Sequence, residues 1–171
     1  YTTLFRDGML LVLAVPFFYA GGLSINWGTV CYSETPASAK TFACASNTGT
    51  AAVMTVSWML DNQMGPNALW LTEWLCEALP LETGMKVLDL GCGRAMSSIF
   101  LAREYGVHVW AADLWTNPDR NWRRVLDSGV GDLVCPFRVE AHAIPFAQGF
   151  FDAVVSIDAY QYFGTDDLYL K

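Results

Sequence analysis

The segment VLDLGCGRA, residues 87–95, has a composition that could hold a nucleotide-like ligand. Asp89 stands near the end of an apolar run, and Gly91 and Gly93 follow it. Glycines at this point let backbone N–H groups approach a ligand closely, and a helix that begins just after them favours an anionic group. A dinucleotide-binding loop of the form G-x-G-x-x-G has a third glycine after this pair, whereas this chain continues with Arg94, Ala95 and Met96. The pattern predicts either a ligand-binding loop or a tight strand–helix turn that binds nothing.

Two acids further along the chain favour the ligand. Asp113 ends the next apolar run, twenty residues after Gly93, and an acid at this spacing can accept hydrogen bonds from both hydroxyls of a ribose. Capping of the following turn is the alternative role for Asp113. The segment EAHAIPF, residues 140–146, places Glu140 where it could accept a hydrogen bond from an adenine amino group. Together these spacings predict a nucleoside-like ligand.

Four side chains near these motifs could act on a second substrate, and they are Asp158, Tyr160, Tyr162 and His142. The tyrosines follow the apolar run of FFDAVVSIDAYQYF, where they could orient a nucleophile or pack beneath a lid. Asp158 could contact a cationic or hydroxylated group. The imidazole of His142 titrates near neutral pH, which suits a general base.

Alternating apolar runs and turn residues predict the elements that position these side chains. Strands are predicted at 85–90, 107–112, 133–139 and 151–157, and helices at 66–79, 95–105, 118–126 and from Thr165 onward. Asn117 and Pro118 form a helix start, and Gly106 ends the helix before it. Strands and helices joined by short loops form right-handed βαβ units, so we expect a doubly wound, Rossmann-like α/β fold with a parallel sheet covered on both faces. Ligands of such sheets bind at the carboxyl ends of the strands, where the motifs lie.

Composition excludes several classes of function. The chain has 171 residues, of which 53% are hydrophobic, and a net charge of −7, so it is not a disordered chain and nucleic acid is not its expected partner. Its five cysteines are odd in number and none are at CxxC spacing, which predicts neither a disulfide framework nor a zinc site. Such cysteines indicate a reducing compartment, and we expect a cytoplasmic protein. No GKS or GKT follows the glycines, which argues against a P-loop.

Residues 1–60 form an apolar segment that carries no recognisable chemistry. Between Gly8 and Ser33 no side chain is formally charged. A membrane contact, a signal-peptide core and a buried segment of a soluble domain are all compatible with residues 8–33. The alternative to a cytoplasmic location is therefore membrane association through this segment. The chain begins with Tyr1 and ends in an opening helix, so we expect it to be a fragment.

The four motifs, in this order and at these intervals, resemble those of class I S-adenosylmethionine-dependent methyltransferases. The similarity is greatest to the small-molecule branch, which includes ubiquinone-biosynthesis and cyclopropane-fatty-acid-synthase-like enzymes. It extends from about Met64 to the end, so residues 61–171 are interpreted as an incomplete methyltransferase domain. The resemblance implies S-adenosylmethionine as the cofactor, methyl transfer to a small-molecule or lipid-like acceptor, and no metal.

The resemblance also implies a role for each matching residue. By this resemblance, Asp89 and the loop of Gly91, Cys92 and Gly93 would surround the amino acid end of the cofactor, and Asp113 would bind the ribose hydroxyls. Leu114, Glu140 and Ala141 would contact the adenine. Ser156 and Ile157 would flank the methionine part. Asp152 is expected to form a structural hydrogen bond at the start of its strand instead of touching ligand. Asp158, Tyr160, Tyr162 and His142 remain the candidates for acting on the acceptor.

Only about four strands can be counted, whereas the resembled enzymes have seven. A parallel sheet that stops at its fourth strand has an apolar, unpaired edge, which proteins normally avoid. Either the protein continues, or residues 1–60 cover that edge, or another chain does. Two other functions stay open: a non-catalytic, truncated or membrane-tethered cofactor-binding domain, and an NAD(P)-dependent oxidoreductase.

Overall fold

A computed structural model of the chain describes residues 3–6, 9–14, 56–65, 68–164 and 169. The strands are β1 (Thr3–Arg6), β2 (Met9–Ala14), β3 (Lys86–Leu90), β4 (His108–Asp113), β5 (Val134–Arg138) and β6 (Ala153–Ile157). The helices are α1 (Val56–Asn62), α2 (Ala68–Cys76), α3 (Met96–Tyr105) and α4 (Pro118–Asp127), and a 3₁₀ turn spans Tyr160–Tyr162. The helix predicted from Thr165 falls on residues outside the described ranges.

The described strands form one sheet in the order β1-β2-β6-β3-β4-β5. Strands β3 to β6 are mutually parallel where they pair, and they are the four strands that the sequence predicts. Each is β-branched or apolar over most of its length, as buried parallel strands are. The predicted Rossmann-like α/β fold is confirmed.

The edge of β6 is covered by the N-terminal hairpin. Strand β2 pairs with β6 in parallel, from Leu10 opposite Ala153 to Ala14 opposite Ile157. Strand β1 then pairs with β2 in antiparallel. Of the three explanations for the unpaired edge, the structure therefore shows cover by residues of the N-terminal segment. The sheet thus extends across the predicted boundary at residue 60.

The apolar segment 8–33 is described only in part. Its residues 9–14 form β2, and residues 15–33, on which the membrane and signal-peptide interpretations also depend, lie outside the described ranges. Within those ranges, no helix has both the length and the apolar character needed to cross a bilayer.

The two faces of the sheet are covered differently. One buried cluster draws on all four helices and on strands β3 to β6, and it includes Met59, Leu75, Ile99, Val125, Val87 and Val109. The other face is covered in the described part by the loop between β5 and β6, whose rings pack on Trp110. Phe150 and Phe151 lie with ring centroids 5.3 and 5.6 Å from Trp110. Pro145 and Gly149 interrupt this loop, for which no helix is predicted, and aromatic side chains cover this face of the sheet.

Local hydrogen bonds hold the elements at the predicted ends. Asn117 Oδ1 accepts from the backbone N–H of Asp119 at 2.7 Å and caps α4. Gly106, with φ +64°, ends α3 in the left-handed region. The backbone N–H of Lys86 donates to Asp152 Oδ2 at 2.7 Å, which confirms the predicted structural role of Asp152.

Candidate functional site

A cavity of about 250 Å³ opens at the carboxyl ends of β3, β4 and β6. The glycine loop after β3, the turn after β4 and residues of the segments 139–142 and 157–163 form its walls. Asn62, Met64, Gly65 and Ala68 close it from the N-terminal side. Its volume lies just below the roughly 300–1,000 Å³ of typical small-molecule pockets. A nucleoside-sized ligand would fill it and extend through its mouth.

Most of the residues predicted from the sequence line this cavity. They are Gly91, Cys92, Gly93, Asp113, Leu114, Glu140, Ala141, His142, Ile157, Asp158 and Tyr162. They come from four separate segments, which the parallel strands bring to one edge of the sheet. Three predicted residues, Asp89, Ser156 and Tyr160, are absent from the lining.

Asp89 faces the helices. Its side chain is fully buried, and its Oδ2 accepts from the hydroxyls of Ser97 and Ser98, each at 2.6 Å. Burial raises the pKa of Asp89 to about 6, although the two hydroxyls oppose the rise. Its Oδ1 has no hydrogen-bond partner among the described residues. In this structure Asp89 therefore ties β3 to the first turn of α3 instead of reaching the cavity.

Ser156 and Tyr160 are placed away from the cavity for different reasons. Ser156 is 1% exposed within β6, and its hydroxyl has no partner among the described residues. Because side chains alternate along a strand, Ser156 faces away from its neighbour Ile157, which does reach the cavity. The ring of Tyr160 packs on Phe163 and Tyr169, with centroids 5.7 and 6.0 Å apart. This is the aromatic packing that the sequence left open as its alternative role.

The glycine loop has no room for side chains. A Cβ at Gly91, where φ is +80°, would overlap the Cβ of Ala159. A Cβ at Gly93, where φ is +53°, would lie 3.0 Å from Met64 Sδ. Ala95 holds a left-handed conformation, with φ 60° and ψ 27°, although it is not glycine. That conformation costs a residue with a Cβ roughly 1–2 kcal/mol.

The N–H groups of this loop are bound within the protein. Those of Gly91 and Cys92 donate to the carbonyl of Ala112, at 2.8 and 3.0 Å. The N–H of Gly93 donates to Asp113 Oδ2 at 2.8 Å. The expectation that these groups point at an anionic ligand is therefore not met in this structure. The loop offers a surface without side chains for close approach, whereas a pyrophosphate would need free N–H donors.

Asp113 holds the loop and the following turn together. Its Oδ1 accepts from the N–H groups of Trp115 and Thr116 at 2.8 and 2.7 Å, in addition to the bond from Gly93 to Oδ2. A carboxylate has about four acceptor positions, so one is left on Oδ2. One ribose hydroxyl can donate there without disturbing the loop. The turn-capping and ligand-binding roles predicted for Asp113 are thus compatible.

Glu140 and His142 form a pair at the opposite wall. Glu140 Oε1 lies 2.7 Å from His142 Nδ1, and Oε2 accepts from the backbone N–H of His142 at 2.9 Å. These bonds hold the pKa of Glu140 below its usual range. The His142 ring also packs on Tyr169, at 4.9 Å between centroids. In this arrangement the two bonds to His142 hold the carboxylate of Glu140 in the wall of the cavity.

The mouth of the cavity is aromatic and exposed. Trp115 and Tyr162 pack edge to face, with centroids 5.2 Å apart, although they are 72% and 65% exposed. Asp158 lies below them in a left-handed conformation, with φ 53°, and burial raises the pKa of its carboxyl. Strained backbone of this kind persists where the surrounding structure holds it, often at functional sites.

Several cavity residues are not among the site residues predicted from the sequence. Asn62, Met64 and Gly65 come from the end of α1 and the segment after it, and Arg94 follows the glycine pair. Arg94 Nη1 donates to the carbonyl of Asp61 at 2.6 Å and so joins the loop to α1. The one signal for this segment is Asn62, a polar residue that follows the apolar stretch VSWML.

Comparison with known proteins also relates this chain to methyltransferases. The family model of mycolic acid cyclopropane synthetase matches residues 60–170. Methyltransferase GfsG of Streptomyces halstedii is 36% identical over 90 residues, which cover 52% of this chain and 32% of that protein. The ubiquinone biosynthesis O-methyltransferase of Erwinia tasmaniensis is 35% identical over 112 residues, which cover 63% of this chain and 45% of that protein.

A solved structure shows the same fold. It is a protein from Galdieria sulphuraria provisionally assigned as a sarcosine dimethylglycine methyltransferase, with a TM-score of 0.50 and 26% identity. The match covers 53% of this chain and 35% of that one. The chain therefore spans less than half of the length of each of these relatives.

Proposed function

Because the chain belongs to the mycolic acid cyclopropane synthetase family, we propose that the protein is an S-adenosylmethionine-dependent methyltransferase with a small-molecule or lipid-like acceptor. The observation that carries the proposal is the glycine loop, whose N–H groups are bound to Ala112 and Asp113 beside a cavity that Asp113 also lines. Such a loop suits a nucleoside without a pyrophosphate, and S-adenosylmethionine is one.

The residues around the cavity fit this cofactor. The remaining acceptor position of Asp113 suits a ribose hydroxyl, and Leu114 and Ala141 offer apolar contact to an adenine ring between them. Glu140 can accept from the adenine amino group. The carboxylates of Asp113, Glu140 and Asp158 line the cavity and contribute a negative potential that favours a cationic sulfonium. Asp89 supports the cofactor site indirectly, because it fixes the start of α3 below the loop.

When bound, S-adenosylmethionine supplies a methyl group on a sulfonium that is already activated for in-line displacement. The chain's own residues have to hold the reactants in line and exclude water. Met64, Trp115 and Tyr162 lie where they would cover the cofactor from solvent. Asp158 lies where its carboxylate could contact a cationic or hydroxylated acceptor, and the exposed rings of the mouth suit an apolar one.

An NAD(P)-dependent oxidoreductase is less consistent with this loop. A dinucleotide enzyme brings its pyrophosphate to the N–H groups of the glycine loop and the following helix. Here three of those groups are bound internally, and Met96 occupies the position of the third glycine of a G-x-G-x-x-G loop.

Titration calorimetry with S-adenosylhomocysteine and with NADH separates the two. We expect S-adenosylhomocysteine to bind and NADH not to bind, and a chain that bound only NADH would contradict the proposal. Transfer of tritium from methyl-labelled S-adenosylmethionine to extracts of small molecules and lipids, by the full-length protein, then tests the reaction itself. The Asp113→Ala variant serves as the control, since it should lose label transfer at low cofactor concentration.

A further inference from the structure

A chain of hydrogen bonds runs behind the cavity from the glycine loop to helix α1. Asn121 Nδ2 donates to the carbonyl of Gly93 at 2.8 Å, and Arg124 Nη1 donates to Asn121 Oδ1 at 2.9 Å. Arg124 Nε donates to Asn62 Oδ1 at 2.6 Å, and Asn62 Nδ2 donates to the carbonyl of Trp58 at 2.8 Å. The chain therefore links three elements that are distant in sequence.

Packing alone does not account for the amide at the centre of this chain. Asn121 is 1% exposed on the buried side of α4, beside Val125 in a place where an apolar residue would fill the space. A buried amide that lacks partners is unfavourable by several kcal/mol, but both ends of this one are bound. Its geometry fits the Gly93 carbonyl on one side and the Arg124 guanidinium on the other.

Both ends of the chain lie at the cavity. Gly93 and Asn62 line it, and Met64, two residues after Asn62, packs over Gly93. The bond from Arg94 to the carbonyl of Asp61 joins the same two parts a second time. The position of α1 and the position of the glycine loop are therefore set together.

We propose that Asn121, Arg124 and Asn62 are positioning residues that couple α1 to the glycine loop and thereby set the affinity for the cofactor. The coupled segment is α1 with residues 63–65, which closes one side of the cavity. The identity of the ligand rests on the proposed function, but the coupling itself does not. A ligand that rests on the loop should stabilise α1, and loosening of α1 should weaken that ligand.

The first test needs no cofactor. Arg124→Gln removes both bonds of the guanidinium, and Arg123→Gln, at an exposed neighbour on the same helix, is the matched control. By hydrogen–deuterium exchange we expect the amides of residues 60–63 to exchange roughly three- to tenfold faster in Arg124→Gln than in the wild type, and unchanged in Arg123→Gln. Equal exchange in the two variants would overturn the proposal.

The second test separates positioning from general stability. Asn121→Asp keeps an acceptor for Arg124 but replaces the donor to Gly93 by a carboxylate oxygen. We expect affinity for S-adenosylhomocysteine to fall roughly three- to tenfold, while the exchange of residues 60–63 without ligand stays at the wild-type rate. A merely structural Asn121 would lower the urea midpoint and leave the affinity of the folded chain unchanged, and that result would refute the coupling.

A double-mutant cycle completes the test. If the chain of hydrogen bonds acts as a unit, Asn121→Asp combined with Arg124→Gln should weaken binding of S-adenosylhomocysteine little more than either change alone. Fully additive losses of binding free energy would contradict coupling through this chain of hydrogen bonds. If the wild-type chain binds no S-adenosylhomocysteine, the proposed function fails, and the exchange comparison without ligand still decides whether Arg124 holds α1.

Discussion

The two sides of the cavity are built differently. On the loop side, Asp89, Ser98 and Asn121 are at most 1% exposed and are hydrogen-bonded to neighbouring elements. On the mouth side, Trp115 and Tyr162 are more than half exposed and contact one another by their rings. The loop side is thus held by directional bonds in a dry interior, and the mouth side by exposed aromatic packing.

This difference corresponds to the two ligands of the proposed methyltransferase. Buried hydrogen bonds are costly to leave unmade, so almost any change on the loop side disturbs the fold as well as the ligand. Exposed rings can be replaced at little cost in stability. We therefore expect the loop side to bind a single kind of ligand. The residues on the mouth side can be substituted to suit different acceptors.

The largest effect is expected at Gly91. Replacement by Ala adds a Cβ that overlaps Ala159, so we expect loss of S-adenosylhomocysteine binding by calorimetry and a fall in unfolding free energy of about 3 kcal/mol or more. Gly129→Ala is the matched control, because Gly129 also has a positive φ of 71° but open space around it. There we expect a loss of only about 1 kcal/mol. Similar losses in both variants would remove the close approach to Ala159 as the cause.

A pH dependence of similar size is expected from Asp89. Its pKa rises from an ordinary value near 4 to about 6 on folding, so between these values the folded state keeps a proton that the unfolded state has lost. Stability should therefore fall by up to about 3 kcal/mol as pH rises from 4 to 6, and this contribution should be constant above that range. Asp89→Asn should remove this slope in urea unfolding, and parallel curves for wild type and variant would contradict it.

Asp113→Ala should have an intermediate effect. The change leaves the N–H groups of Gly93, Trp115 and Thr116 without their carboxylate and removes the proposed ribose contact. We expect affinity for S-adenosylhomocysteine to fall by roughly 1–3 kcal/mol, as for lost hydrogen bonds to a charged group. Asp132→Ala, at an exposed acid, is the control, and an unchanged affinity for Asp113→Ala would exclude Asp113 from the site.

The smallest effect is expected at the mouth. Tyr162→Ala removes one ring of the exposed pair with Trp115, which contributes about 1 kcal/mol or less. The melting temperature should stay close to that of the wild type, and the affinity for S-adenosylhomocysteine should fall less than in Asp113→Ala, because Trp115 and Met64 still cover the cofactor site. A loss of affinity as large as that of Asp113→Ala would break the distinction between the two sides.

Much of the fold could be predicted because its signals are local. Apolar runs such as VLDL and AVVSI identify buried strands, and Asn117, Pro118 and Gly106 mark helix ends by their own backbone chemistry. Parallel strands then bring their carboxyl ends to one edge, so residues after four of them meet at one cavity. This explains why most of the predicted site residues line it.

The remainder depends on contacts between distant residues. No local pattern shows that Asp89 faces Ser97 and Ser98 and not the cavity, because that orientation follows from the register of β3 against the helices. The segment Asn62–Gly65 is joined to the site by bonds from Arg94 to Asp61 and from Arg124 to Asn62, and both arginines lie far along the chain.

By itself the sequence determined the four parallel strands, the helices between them and the edge of the sheet at which a ligand would lie, since propensity and periodicity act over a few residues. Only the tertiary structure decided that residues 9–14 pair with β6 and that the N–H groups of the glycine loop are already bound. Both depend on which distant groups find one another as hydrogen-bond partners when water is excluded.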